Sequence, residues 1–205
     1  MKAVLIRHGK TQGNIERRYS GCRTDDPLTE EGISELRRIE ELPAELMLFV
    51  SPMTRARQTA EIMLPAAEQN VIEDLREMDF GYFEGKSHSE LDGDPAYQAW
   101  IDSGGTMEIP GAETKEGFTE RVMNALNSAA AMASEAGTDN IYIVAHGGTI
   151  MAVMAALTGG DYYDFLVPNG TGYSMDLEVD DAGNIALAGA YDRFCGGLLA
   201  GSSDR

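Results

Sequence analysis

Two histidines stand in the same local setting. His8 follows the apolar run Val4-Leu5-Ile6 and the cation Arg7, and His146 follows the run Ile141 to Ala145. Each run reads as a buried strand, and each ends in glycine: Gly9 after the first histidine, Gly147 and Gly148 after the second. In an open α/β sheet, ligands bind just beyond the carboxyl ends of strands. A neutral imidazole there can attack an electrophilic centre. Arg7 beside it, and Arg55 in the helix expected after Ser51-Pro52, can give forked, charge-assisted hydrogen bonds to an oxyanion. His146 can donate one more, and glycines 147 and 148 allow close backbone approach. Glu77 lies near the end of a third apolar run and can protonate a leaving alkoxide, then deprotonate water. Catalysis of phosphoryl transfer is mainly positioning and electrostatic stabilisation, and this set of groups suits it.

The elements that must position these groups follow from periodicity. Lys2 to Arg7 is the first strand, and Gln12 to Arg18 is a helical turn or two. Thr29 caps a helix predicted to run through Ile39 toward Pro43. Leu46 to Val50 is the second strand, with Ser51 as N-cap and Pro52 at the first position of the next helix. Val71 to Leu75 reads as the third strand, with Glu77 two residues beyond it. Pro95 to Ser103 is a short helix with Trp100 facing inward, and Thr114 to Glu135 a long one ended by Gly137. After the fourth strand comes an apolar helix from Thr149 to Leu157, ended by Gly159-Gly160. The alternation from Tyr173 to Val179, a turn at Asp180 to Asn184 and a return over Ile185 to Tyr191 form a hairpin. The expected fold is a three-layer α/β/α domain, its sheet mostly parallel with an antiparallel edge, spanning 1-205 as a single domain.

Composition narrows the function. Asp and Glu number 34 against 16 Lys and Arg, a formal net charge of -18, which argues against a broad nucleic-acid surface. Yet from Met1 to Thr24 the only acid is Glu16, against Lys2, Arg7, Lys10, Arg17, Arg18 and Arg23. A locally positive mouth on an acidic protein fits a small anionic ligand. No apolar run is long enough for a membrane span, and the chain enters its first strand at once, so a cytoplasmic location without a membrane is expected. Cys22 and Cys195 are too few for a disulfide framework. No histidine pair has local ligand spacing, so no metal is expected. Gly9-Lys10-Thr11 imitates the end of a P-loop, but its earlier glycine is Val4 here. Neither cysteine has an arginine six residues on, as a cysteine phosphatase needs.

Five blocks in order now carry a resemblance. Arg7-His8-Gly9-x-Thr11-x-x-Asn14 resembles the signature of the histidine phosphatase superfamily, which includes the cofactor-dependent phosphoglycerate mutases. Pro27-Leu28-Thr29-x-x-Gly32, Ser51-Pro52-x-x-Arg55-Ala56-x-x-Thr59-Ala60, Leu75-x-Glu77-x-x-Phe80-Gly81-x-x-Glu84-Gly85 and His146-Gly147-Gly148 are similar to its later blocks. The resemblance implies a phosphoglycerate mutase-like fold and a phosphohistidine at His8. It implies a phosphate pocket of Arg7, Arg55 and His146, a proton donor in Glu77, and a phosphoryl contact from Asn14. Thr11 and Gly147, inside these blocks, and Cys22, in the basic loop, join the candidate phosphate contacts; by itself Cys22 reads as incidental. The block around Glu77 is closer to the phosphatase branch, which includes α-ribazole phosphatase. Pro110-Gly111-x-Glu113-Thr114 is similar to a family loop, without a role for Glu113. Lys10, His88 and Met151 depart from the usual pattern, Lys10 adding positive charge at the mouth.

The expected activity is therefore hydrolysis of a small phosphorylated metabolite, without a cofactor. Two rivals stand beside it: mutase-type transfer, and a non-catalytic phosphate-sensing module on the same fold. The expected assembly is a monomer or a homodimer.

Overall fold

The structure, a computed structural model, describes residues 1–180 and 183–195. Among these residues six strands form one sheet: β1 (Lys2–Arg7), β2 (Met47–Val50), β3 (Gln69–Val71), β4 (Asn140–Ala145), β5 (Gly172–Val179) and β6 (Ile185–Phe194), in the order β3-β2-β4-β1-β5-β6. The first four are mutually parallel; β5 runs antiparallel to β1, and β6 antiparallel to β5 at the edge. Among the described residues, seven α-helices accompany them: α1 (Gln12–Ile15), α2 (Glu30–Glu35), α3 (Thr54–Met63), α4 (His88–Leu91), α5 (Pro95–Asp102), α6 (Lys115–Glu135) and α7 (Gly147–Thr158).

Strand alternation sorts the core into two layers. Ala3, Leu5, Ile141 and Ile143 pack with α6 and α7, whereas Val4, Ile6, Tyr142 and Val144 pack with α3 and with Leu28, Leu36 and Ile39, which flank α2. Both faces of β1 and β4 are therefore covered, which explains their unbroken apolar runs. A third cluster of Phe83, Leu91 and Ile109 gathers Tyr19, Phe80, Tyr97 and Trp100 around it. It builds the segment between β3 and α6. Trp100 is half-buried there, stacked on Tyr97.

β1 and β4 are paired in register from Lys2–Asn140 to Arg7–Ala145, so His8 and His146 leave the sheet at the same level. The chain after β1 turns to the α2–α3 face, and the chain after β4 turns to the α6–α7 face. The two histidines thus flank a topological switch point, where an α/β sheet opens a crevice for ligands.

Three sequence expectations are corrected. The helix from Glu30 ends at Glu35, far short of Pro43. Leu36 turns extended (ψ 145°) and buries, and the Ile39 amide donates to Met63 O at 2.8 Å, so the apolar residues serve a strap against α3 instead of a helix face. The helix after β2 is capped at Met53, with no side-chain cap; the Ser51 hydroxyl is used elsewhere, as shown below. The third strand covers Gln69–Val71, and Glu73–Leu75 is a 3-10 turn. Leu75 buries in the α6–α7 cluster, which swings the following chain across toward β4. The expected turn over Asp180 to Asn184 closes through Asp180 and Asn184, with residues 181–182 outside the described set. Among the described residues, no helix is long and apolar enough to cross a membrane.

Candidate active site

His8 is buried at the end of β1. Its Nδ1 lies 2.7 Å from Gly9 O. A carbonyl only accepts, so Nδ1 carries the hydrogen and a neutral ring keeps its lone pair on Nε2. Burial, then the charges of Arg55 and Arg7, hold the His8 pKa well below the usual imidazole value. The loop behind it is fixed from two sides. Gly9 N donates to Thr59 Oγ1 at 2.9 Å, and Asn169 Nδ2 donates to His8 O (2.9 Å), Gly9 O (3.3 Å) and Asn14 Oδ1 (3.1 Å).

Arg7 Nη1 donates to Val167 O at 2.7 Å, while its buried Nε has no hydrogen-bond partner. Buried donors are rarely left unpaired, and an orphan at a strand-end crevice is a preset anion contact. A Cβ on Gly147 would meet the Arg7 guanidinium carbon at 3.4 Å, so glycine there lets the guanidinium lie close to the start of α7.

Arg55 is almost wholly buried on the first turn of α3. It donates to Thr24 O (2.7 Å) and Gly21 O (3.1 Å), and its Nε donates to His146 Nδ1 at 3.2 Å. That bond leaves Nδ1 without a hydrogen. Nε2 of the neutral ring therefore carries it and donates to Ser51 Oγ at 2.7 Å. Burial and the neighbouring cations, Arg55 first, also push the His146 pKa well down. The rings of His8 and His146 meet edge to face, 5.2 Å apart.

Glu77 is buried against the start of α7. Its Oε2 accepts from Gly148 N at 3.0 Å and its Oε1 from Met78 N at 2.9 Å. Burial raises its pKa above the ordinary carboxyl value, opposed by those two amides and by Arg55 and Arg7. The other acids nearby are otherwise engaged. Glu84 accepts from Gly21 N, Thr24 Oγ1 and Phe80 N, and Asp79 pairs with Arg23 and accepts from Gly81 N.

The remaining candidates differ in their placement. Thr11 caps α1, and the Asn14 side chain returns to the Thr11 amide, so the two form a capping box next to the His8 loop. Cys22 is half-buried in the loop that Arg55 holds; its amide donates to Met78 O, and burial with Asp79 and Glu84 raises its thiol pKa. Lys10 does not stand free at the mouth: its ammonium bridges Glu31 (2.8 Å) and Glu35 (2.7 Å). Arg18 and Arg23 are likewise paired, with Glu16 and Glu90 and with Asp79. His88 stacks on Tyr19 with centroids 5.2 Å apart, and Met151 packs against the core.

Sequence reasoning missed Asn169, Thr59 and Ser51 as parts of this site. Asn169-Gly170 looks like any turn dipeptide. Thr59 and Ser51 lie inside a recognised block but carry no charge or nucleophilic signature of their own.

The histidine phosphatase superfamily (branch 1) model matches residues 3–183. The chain belongs to this superfamily. Among curated relatives of this histidine phosphatase, adenosylcobalamin/alpha-ribazole phosphatase of Salmonella typhimurium is 30% identical over 188 residues, covering 86% of this chain and 91% of the relative. A 2,3-bisphosphoglycerate-dependent phosphoglycerate mutase 2 of Gloeobacter violaceus is 34% identical over 167 residues, covering 75% and 74%. The crystal structure of a putative alpha-ribazole-5'-P phosphatase from Escherichia coli has a TM-score of 0.73 at 28% identity, covering 91% of this chain and 94% of that one. The mixed sheet with its antiparallel edge is thus the phosphoglycerate mutase-like fold, and the chain is an enzyme of a phosphatase family that acts on small phosphorylated substrates.

Proposed function

We propose that the chain, acting as one catalytic domain, hydrolyses a small phosphomonoester through a phosphohistidine at His8. The observation that carries this reading is His8 itself: a buried neutral imidazole with Nδ1 bound to Gly9 O and its lone pair on Nε2. In the first step that lone pair forms a bond to phosphorus as the ester P–O bond breaks. The leaving oxygen takes the proton of the Glu77 carboxyl. In the second step the Glu77 carboxylate takes a proton from water, the water oxygen attacks phosphorus, and the P–N bond breaks to restore His8.

Arg7 and Arg55 supply positive charge for the phosphoryl oxygens, with the unpaired Arg7 Nε as one preset donor. His146 accepts from Arg55 Nε through its Nδ1 and so orients that guanidinium toward the phosphoryl oxygens. Asn14 and Thr11 support the His8 loop and contribute the Asn14 amide group to the pocket rim; Gly147 keeps the α7 end open to Arg7. Cys22 serves the loop through its backbone, not its thiol.

The mutase relative favours a second reading, in which the phosphoryl group returns to an organic acceptor. A sensing module is disfavoured, because His8, Arg7, Arg55, Glu77 and His146 are all retained and converge at one sheet edge. Rapid acid-free quenching with labelled substrate tests the scheme: an acid-labile, base-stable adduct on His8 is expected. An adduct on Cys22 or an aspartate would sink it. Transfer of the label to water without a bisphosphate primer separates phosphatase from mutase.

A further inference from the structure

We propose that the Glu113–Arg121 ion pair is a positioning device for Glu77, clamping the irregular segment that carries it. The inference rests on the reading of Glu77 as general acid. Glu77 follows a 3-10 turn, not a strand, so no sheet ladder holds its backbone. Buried or half-buried carbonyls still need donors, and the donors here can be followed one by one. Arg121 Nη1, from α6, donates to Asp74 O at 2.7 Å and to Arg76 O at 3.2 Å. Leu75 O accepts from Thr149 Oγ1 at 3.5 Å, and Met78 O from Cys22 N at 3.2 Å. Asp79 O accepts from Glu113 N at 3.0 Å. One charge pair therefore grips the chain on both sides of Glu77.

The pair is built to be stiff. Arg121 Nε and Nη2 meet Glu113 Oε1 and Oε2 at 2.9 and 2.7 Å, a bidentate contact with side chains only 11% and 21% exposed. The planar fork tolerates little rotation. Phe118 packs beneath the Arg121 guanidinium, 5.1 Å from its ring centre. Glu113 thus ties the Pro110 to Thr114 loop to the same point. A general acid misplaced by about 1 Å can cost about 10²-fold, so such bracing has catalytic leverage without contact to substrate.

The test compares Arg121→Gln and Glu113→Gln with Glu77→Gln, measuring the phosphorylation step in single turnovers. The substrates are an alkyl phosphate, which needs its leaving oxygen protonated, and p-nitrophenyl phosphate, which does not. Both clamp variants should lose about 10- to 100-fold on the alkyl ester and far less on the aryl ester. Their alkaline limb should move to lower pH as Glu77 becomes better hydrated. Arg121→Gln added to Glu77→Gln should cost little more on the alkyl ester. Equal losses on both esters, with the limb unmoved, would overturn the clamp and leave Arg121 as a fold residue only. If Arg121→Gln does not fold, Glu113→Gln carries the test, since its backbone bond to Asp79 O survives. Should Glu77→Gln itself fail to discriminate between the esters, the general-acid reading falls first. Discrimination by Glu77→Gln but by neither clamp variant removes the clamp alone.

Discussion

The amide of Gly148, in the first turn of the helix that begins after His146, donates to Oε2 of Glu77 at 3.0 Å. A helix N-terminus thus faces a carboxyl that burial pushes toward the protonated form. The helix end stabilises the carboxylate and burial favours the acid, so the two act on its proton in opposite senses.

The same contact makes Gly148 irreplaceable for a steric reason. A Cβ there would stand 2.3 Å from Glu77 Oε1. Gly148→Ala should leave the fold intact, since alanine suits a helix better than glycine. It should displace Glu77 and reduce alkyl phosphate hydrolysis by roughly 10²–10⁴, the usual worth of a general acid. Comparing the variant with Glu77→Gln on alkyl and aryl esters checks this; an alanine variant with wild-type rates on both would show that Glu77 is not held as described.

Arg55 and Arg7 should separate by stability, not by rate. Loss of either donor set is expected to cost about 10²–10³ or more in turnover. Arg55 also satisfies Thr24 O and Gly21 O, whereas Arg7 satisfies Val167 O. Leaving a buried carbonyl unpaired costs about 1–3 kcal/mol. Arg55→Ala should therefore lower Tm clearly more than Arg7→Ala, and thermal unfolding with and without vanadate reads both effects. Equal Tm values would mean that water replaces Arg55 at the loop.

The groups legible in the sequence are those with distinctive chemistry: Arg7, His8 and His146 at strand ends, Arg55 on the first turn of α3, and Glu77 just beyond a 3-10 turn. Strand β1 and strand β4 were legible because both faces are buried and the runs are unbroken. The 3-10 turn before Glu77 was not, because Val71, Ile72 and Leu75 look like a strand until Leu75 is seen packing under α6. The helix at Glu30 was over-extended for a similar reason: Leu36 and Ile39 fit a helical period but bury from an extended strap. Asn169, Thr59 and Arg121 act on backbone carbonyls and amides across the fold. Such bonds have no spacing along the chain that could reveal them.

The pH dependence has a definite sign. His8 and His146 are held below the ordinary imidazole value of about 6.5 in the native state. The unfolded chain therefore binds protons that the native chain refuses, and stability should fall as pH drops below about 6.5. Glu77 works in the opposite sense: its raised value favours the native state below the ordinary carboxyl range and loses that contribution as pH rises through the native value. In kcat/KM, acid should remove the His8 lone pair and alkali the Glu77 proton, giving a bell. Glu77→Gln should abolish the alkaline limb and keep the acid one. The second ionisation of the substrate phosphate, near about 6, appears in both proteins and cancels in the comparison. A limb unchanged by Glu77→Gln would assign it to another group.

Arg17 carries the last prediction. It is the one non-glycine residue with positive φ, 52°, among those described. It follows α1, and its amide donates to the Asn14 carbonyl at 3.2 Å. Its side chain is exposed and makes no ion pair among the described residues, unlike Lys10, Arg18 and Arg23 around it. A left-handed backbone costs an ordinary L-residue roughly 1–2 kcal/mol, which glycine avoids. Arg17→Gly should therefore raise Tm, by an amount reduced by the greater unfolded-state entropy of glycine. An unpaired exposed cation three residues from Asn14, a proposed pocket residue, should act on encounter more than on turnover. The variant should keep kcat, raise KM for an anionic ester, and flatten the dependence of kcat/KM on salt. Arg17→Lys, with the charge kept and the strain retained, should match the wild type in both Tm and KM. A loss of kcat in Arg17→Gly as large as that of Arg55→Ala would place Arg17 inside the pocket and contradict its exposure.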